Sequence, residues 1–173
     1  MTCGPGVALE FTLLAGPEPG PSHDDDGRAA TLSLSGLSEA TAPVIEAELA
    51  SLAQFVLAAE GATGPWEIVT ALVSDAELQA LHARFMDVDE PTDIMTFPYG
   101  DDLQGGDLAI SIDHAISRAA EWNHAPDEEL RFLVVHGVLH LLGWRDETPE
   151  QRAAMLERQT ALIQAWRGRV SAS

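Results

Sequence analysis

Two periods of apolar positions run along this chain. Residues 7–14, VALEFTLL, alternate roughly every second position, the pattern of a half-buried strand. Between 41 and 59, Val44, Ile45, Leu49, Leu52, Phe55 and Val56 recur three and four residues apart, which predicts a helix that Ser38 or Thr41 can cap. GATGP breaks that helix, and WEIVTALVS at 66–74 reads as a second strand. Ser74 or Asp75 then caps a short helix to Phe85 with Leu78, Leu81 and Phe85 on one face. DIMTFP at 93–98 and DLAISI at 107–112 read as two strands joined by a turn-rich loop at 99–106, with Pro98 suited to a strand end. Asp113 caps a helix to about Asn123. Pro126 and the acids after it open another, which runs through Leu142 and stops at Gly143. Thr148-Pro149-Glu150 opens a last helix to about Arg167.

This order, β, α, β, α, β, β and then three helices, predicts one α/β layered domain over 1–173. A small mixed sheet is packed by about five helices. There is no internal repeat. The stretch 15–30, AGPEPGPSHDDDGRAA, reads as a flexible acidic loop, and His23 within it as an exposed loop residue. No apolar run approaches the ~18 residues of a membrane span. The N-terminus lacks a basic region and its apolar stretch is interrupted by Glu10, which argues against a secretory signal. Cys3 is the only cysteine and can form no internal disulfide. A cytoplasmic protein is the expectation.

The formal net charge is −19, and all nine basic residues are arginine. Such acidity argues against wrapping nucleic acid by bulk electrostatics. It is uneven: residues 1–83 carry twelve acids and one arginine, whereas residues 130–173 carry six arginines against Asp146, Glu147, Glu150 and Glu157. A solvated amphipathic last helix accounts for most of those arginines.

The mildly basic third also holds the one chemical constellation, VVHGVLHLLGWRDE. His136 and His140 lie on one helix face, roughly 6 Å apart at Cβ. They can be core histidines bonded to partners, or they can chelate one metal ion. The apolar flanks Phe132, Leu133, Val134, Val135, Leu139, Leu141 and Leu142 bury the helix, so each imidazole needs a partner. Gly143 can turn the chain away from the helix axis, and Asp146 follows three residues later. H-x-x-x-H-x-x-G-x-x-D is thus a three-ligand layout with a fourth position for water, as in catalytic zinc sites; Asp146 reads equally as an exposed acid before the last helix. Zinc peptidases with H-E-x-x-H place a glutamate after the first histidine, and Gly137 stands there instead, which counts against a peptidase.

HGVLHLLGWRD resembles the H-G-x-L-H-L-x-G-Y-D-H signature of the YbeY family, bacterial rRNA maturation factors described as endoribonucleases. PTDIMTFP at 91–98 resembles that family's T-D-V-L-S-F-P segment, and GGDLAIS at 105–111 its L-G-D-I-x-I-S strand. Order and spacing agree over about residues 66–165. The resemblance implies one α/β domain, one zinc per chain held by His136, His140 and the residue at Asp146, and processing of ribosomal RNA 3′ ends in ribosome quality control. The partners it implies are rRNA and ribosomal subunits, with neither DNA nor a membrane.

The chain departs from that pattern in three places. Asp146 stands where the family has a third histidine. Trp144 and Arg145 replace a tyrosine and an aspartate. Met86 stands where the family carries an arginine, six residues before Thr92. A mixed His₂–carboxylate set is still a catalytic arrangement, but an anionic ligand weakens the Lewis acid and makes manganese or iron more plausible beside zinc. For the missing arginine, Arg145 and Arg84 are the nearest substitutes; their plainer readings are a surface ion pair and a solvated helix residue. Met86 itself reads as a core gap-filler. His82, His114 and His124 read as surface or helix-end residues, and Asp93 as a brace for its turn. The expectation is a metal-dependent endoribonuclease specific for single strands. Its rivals are a non-enzymatic ribosome-assembly factor and, further off, a metallopeptidase.

Overall fold

A computed structural model describes residues 6–15 and 42–172. The 16–30 part of the expected acidic loop, His23, Cys3 and the caps Ser38 and Thr41 lie outside these residues. Four strands and five helices follow in the predicted order: β1 (Ala8–Ala15), α1 (Ala42–Ala59), β2 (Pro65–Val73), α2 (Asp75–Met86), β3 (Ile94–Pro98), β4 (Gly105–Ser111), α3 (Ile112–Trp122), α4 (Pro126–Leu141) and α5 (Pro149–Ser171). They form a single mixed sheet of order β1-β2-β4-β3. β1, β2 and β4 run parallel, and β3 lies antiparallel to β4 at the edge.

The register explains the layering. Ile68, Thr70 and Leu72 of β2 lie beside Gly106, Leu108 and Ile110 of β4, so alternation puts them on one face. That face meets the buried stripes of two helices, Leu49, Leu52 and Val56 of α1 and Leu133, Val134 and Val138 of α4, and Met155, Leu162 and Trp166 of α5 close the same core from behind, against α4 and α1. The opposite face carries Met95 and Ala109, covered by Leu78 of α2. At the start of α4, Arg131 reaches Glu48 of α1 at 2.7 Å while also bonding Asp127 and Glu128 of its own first turns. The guanidinium therefore ties α4 to α1.

Gly137 sets how closely α4 approaches the sheet. A Cβ on it would lie 2.8 Å from Leu108 Cδ2 and 3.0 Å from Ile94 Cδ1. The helix lies against the side-chain ends of Leu108 and Ile94 here, and any larger residue would have to displace them.

Three local expectations are corrected. Ser111, not Asp113, caps α3: its hydroxyl accepts from the His114 amide at 3.0 Å, because β4 passes into the helix without a loop. Asp113 instead accepts from the Asp75 amide at 2.9 Å and braces α3 against α2. Phe85 does not join Leu78 on the buried face; it is 57% exposed and meets Phe97 edge-on at 5.3 Å, since the last turn of α2 overhangs the edge strand. Met86 is likewise exposed and fills no gap in the core. Ser74 provides the expected capping box of α2, with Glu77 returning to its amide at 2.8 Å.

Thr70 is fully buried on the α1–α4 face, and its hydroxyl has no hydrogen-bond partner among the described residues. An unsatisfied buried hydroxyl costs about 1–3 kcal/mol. Thr70→Val keeps the shape and removes the polar atom, so it is expected to raise unfolding free energy by about 1 kcal/mol; a urea titration with a lower midpoint than wild type would contradict this account.

Candidate metal centre

With one side of α4 against the sheet, His136 and His140 emerge on the side turned toward α5 and the segment after Gly143. One helical turn apart, their rings stand with centroids 4.5 Å apart at 82°. The two Nε2 atoms are 3.0 Å from each other. Both side chains keep about a fifth of their surface exposed, 21% and 23%.

The segment after α4 brings the third group back. Leu142 ends the helix, and Gly143 takes φ 94°, a left-handed conformation natural to glycine. The Gly143 amide donates to the His140 carbonyl at 2.9 Å and the Trp144 amide to the Leu139 carbonyl at 3.0 Å, the paired bonds of a Schellman end. The chain thereby reverses, and the Asp146 Oδ2 atom stands 3.6 Å from each Nε2. Arg152 holds this segment from α5 by donating to the Asp146 carbonyl at 3.0 Å.

The outer ring nitrogens decide what the inner ones can do. His140 Nδ1 is 3.0 Å from the carbonyl oxygen of Trp144, which only accepts, so the proton is on Nδ1. His136 Nδ1 is 3.2 Å from Gln159 Oε1. The Gln159 amide nitrogen donates to the Phe132 carbonyl at 3.4 Å, which turns its oxygen toward the histidine. Both imidazoles thus carry hydrogen outside and present bare lone pairs inside, facing each other and a carboxylate. Three acceptors converge without a donor, and the set calls for positive charge at its centre: a proton at low pH, or a metal ion.

The donor set fits the second. Imidazole nitrogens bound tetrahedrally at roughly 2.0–2.1 Å stand about 3.3 Å apart, close to the separation present. One atom from each of His136, His140 and Asp146 lies within 4.8 Å of the others. Burial, above all, pushes His136 below the usual imidazole pKa; Gln159 and Asp146 oppose that shift and His140 adds to it. His136 is therefore neutral at pH 7, as a metal ligand must be. Asp146, at 38% exposure, marks the open side of the centre.

The remaining sequence candidates stand around this centre unevenly. Arg145, beside Asp146, is exposed and pairs with Glu147 at 3.3 Å. Arg84 lies over the Phe85 ring at 5.3 Å, on the α2 side of the sheet edge. Asp93 precedes Ile94, which touches α4 at Gly137, and its carboxylate bears on His136. Its carbonyl accepts from the Ser111 amide at 2.9 Å, and its carboxylate stands 3.9 Å from His114. His124 pairs with Glu129 at 3.5 Å and His82 meets the Glu90 carbonyl at 2.8 Å, both away from the three ligands. Gln159 went unread. Its signal was available: Met155, Gln159, Leu162, Ile163 and Trp166 share one helical stripe, and a polar residue in a buried stripe calls for a bonded partner.

Comparison with known proteins identifies the family. The family model described as Endoribonuclease YbeY matches residues 37–167, from ahead of α1 to the last turns of α5. Endoribonuclease YbeY of Roseiflexus castenholzii is 39% identical over 137 residues, 72% of this chain and 86% of that protein. Endoribonuclease YbeY of Mycobacterium tuberculosis is 33% identical over 148 residues, 78% of this chain and 84% of its own length. A solution structure from Thermotoga maritima shares the fold with a TM-score of 0.56 at 26% identity, covering 79% of this chain and 90% of that one. The matched span encloses the two-histidine helix, its glycine turn, Asp146 and Gln159, and the chain belongs to the YbeY family.

Proposed function

We propose that this protein is a metal-dependent endoribonuclease specific for single strands, acting in ribosomal RNA 3′-end maturation and ribosome quality control, with His136, His140 and Asp146 holding one divalent ion. Endoribonuclease activity is what the family and its named relatives carry. The observation that supports metal dependence is the convergence of two bare imidazole lone pairs and a carboxylate, each imidazole held by a bond to its outer nitrogen. Zinc suits two imidazoles, and the carboxylate in the third place widens the choice toward manganese or iron. When bound, the ion supplies electrophilic stabilisation of charge developing on phosphodiester oxygens.

The chain's own residues do the rest. Gln159 and the Trp144 carbonyl hold each ring in the tautomer that leaves Nε2 free. The exposed side of Asp146 opens the centre to an RNA strand, and Arg145 beside it is the proposed phosphate contact. Single-stranded RNA suits an open centre with no basic track, because contacts there are local. rRNA and ribosomal subunits are the proposed partners in the cytoplasm; among the described residues no helix is long and apolar enough to cross a membrane. One observation favours a second reading, a non-enzymatic ribosome-assembly factor. Met86, exposed at the family's arginine position, brings no charge to a substrate. Gly137, where a zinc peptidase carries its glutamate base, argues against a peptidase.

Purified protein is expected to hold one metal ion per chain, and His140→Ala and Asp146→Ala to lose it. Both variants should lower cleavage of single-stranded RNA by about 100-fold or more, the scale of a lost charge-stabilising group. Equal cleavage by wild type and both variants, with metal lost from the variants, would sink the metal-dependent nuclease reading; equal absence of cleavage with metal bound only in wild type selects the assembly factor.

The second prediction concerns acid. The folded state holds His136 below the imidazole value of the unfolded chain, so between those two values the unfolded chain binds the extra proton. The stabilisation from neutral His136 is therefore present at pH 7 and is lost as pH falls through about 6.5 toward the folded value. In chelator-treated protein, the stability gap between wild type and His136→Gln should shift against wild type from pH 7 to pH 5. Urea unfolding at the two pH values reads this, and a gap independent of pH contradicts it.

A further inference from the structure

At the end of α1, one carboxylate collects two of the elements that orient the histidines. Glu60 follows the last residue of α1, and its amide donates to the Val56 carbonyl at 2.9 Å, so it stays anchored to that helix. Its side chain is only 12% exposed. Trp144 Nε1 donates to Glu60 Oε2 at 3.0 Å, and Arg158 Nε donates to Glu60 Oε1 at 2.6 Å. Both carboxylate oxygens are thus engaged, one by the segment after Gly143 and one by α5.

What these two partners do next gives the clamp its meaning. Trp144 is the residue whose carbonyl accepts from His140 Nδ1 at 3.0 Å, and it lies two residues before Asp146. Arg158 directly precedes Gln159, whose oxygen accepts from His136 Nδ1 at 3.2 Å. A single group at the end of α1 therefore holds Trp144, whose carbonyl sets the His140 tautomer, and Arg158, the immediate neighbour of the Gln159 that sets that of His136. We propose that Glu60 is a positioning residue for the metal centre, acting through the Trp144 indole and the Arg158 guanidinium, and that Trp144, present where the family signature has tyrosine, is the arm that transmits it. This rests on the assignment of His136, His140 and Asp146 as metal ligands. Outer-shell partners of metal ligands typically carry 10–100-fold in metal affinity. Glu60 acts one bond further out, so its contribution belongs at the lower end.

The test compares zinc affinity, by competition with a chromophoric chelator, across wild type, Glu60→Ala, Glu60→Gln, Trp144→Phe and Asp146→Ala. It is run at a temperature where circular dichroism shows each metal-free protein folded. Glu60→Ala and Trp144→Phe are expected to weaken zinc by about 10-fold, with Glu60→Gln between them and wild type because it keeps an acceptor for the indole. Cobalt(II) in place of zinc should show a weaker visible band in Glu60→Ala, since a loosened Asp146 departs from tetrahedral placement; a purely structural role for Glu60 moves neither the affinity nor the band. If Glu60→Ala does not fold, Glu60→Gln and Trp144→Phe carry the comparison. Wild-type affinity in these variants, with zinc lost in Asp146→Ala, overturns the clamp and leaves the ligand assignment standing. Absence of zinc binding by wild type overturns both.

Discussion

Four imidazole nitrogens have to be satisfied on α4, a helix whose other sides are closed by the core. A buried polar atom without a partner costs about 1–3 kcal/mol, so two unpartnered rings would cancel much of what the helix gains by packing. Gln159 of α5 takes one outer nitrogen and the Trp144 carbonyl takes the other. Each acceptor determines a tautomer, and the two tautomers leave the inner nitrogens facing one another. The last turn of α4, the reversal at Gly143 and the seating of α5 all serve that arrangement. A change in any of them misplaces a ring nitrogen before it touches the apolar core.

The sequence carried the parts of this arrangement that are local. His136, His140, Gly143 and Asp146 lie within three turns' worth of chain, where helical periodicity and one glycine are enough to bring them together. The strand and helix order was legible for the same reason, since each element has its own period and its own punctuation. What the sequence did not carry is what comes from afar. Gln159 is 23 residues from His136, and Glu60 is 84 residues from Trp144. Neither has a local pattern that announces a role. Glycine at 137 signalled only the lack of a catalytic glutamate, whereas in the fold it also lets α4 touch β4 and β3. The cap of α3 was misread by two residues because a strand that turns directly into a helix leaves no loop to mark the boundary.

The arginines of the C-terminal third look like a basic surface in the sequence, and the fold uses them otherwise. Arg131 joins α4 to α1, Arg152 holds the carbonyl of Asp146, Arg158 engages Glu60, Arg167 pairs with Glu128, and Arg169 lies over Phe55. These are internal cross-links between helices in a chain with no lysine. Arg131, Arg158 and Arg167 spend their charge on carboxylates, so these three add little to a track for a phosphate backbone.

That leaves Arg145 and Arg84 as the candidates nearest to the function of the arginine replaced by Met86, and they differ in what a substrate would have to displace. Arg84 rests on Phe85 at the edge of the sheet, a contact that a base could share but that lies on the α2 face. Among the described residues Arg145 pairs with Glu147, with both side chains more than two-thirds exposed. Such a pair is worth about 0–1 kcal/mol. Exchanging Glu147 for a phosphodiester therefore costs little, and the exchange takes place one residue from Asp146. In a protein of net charge −19, an approaching phosphodiester is favoured only where positive charge is concentrated. If the proposed ion sits between the histidines, it and the guanidinium of Arg145 place two positive charges side by side, and selection of a phosphate would be local to the centre instead of spread over a surface.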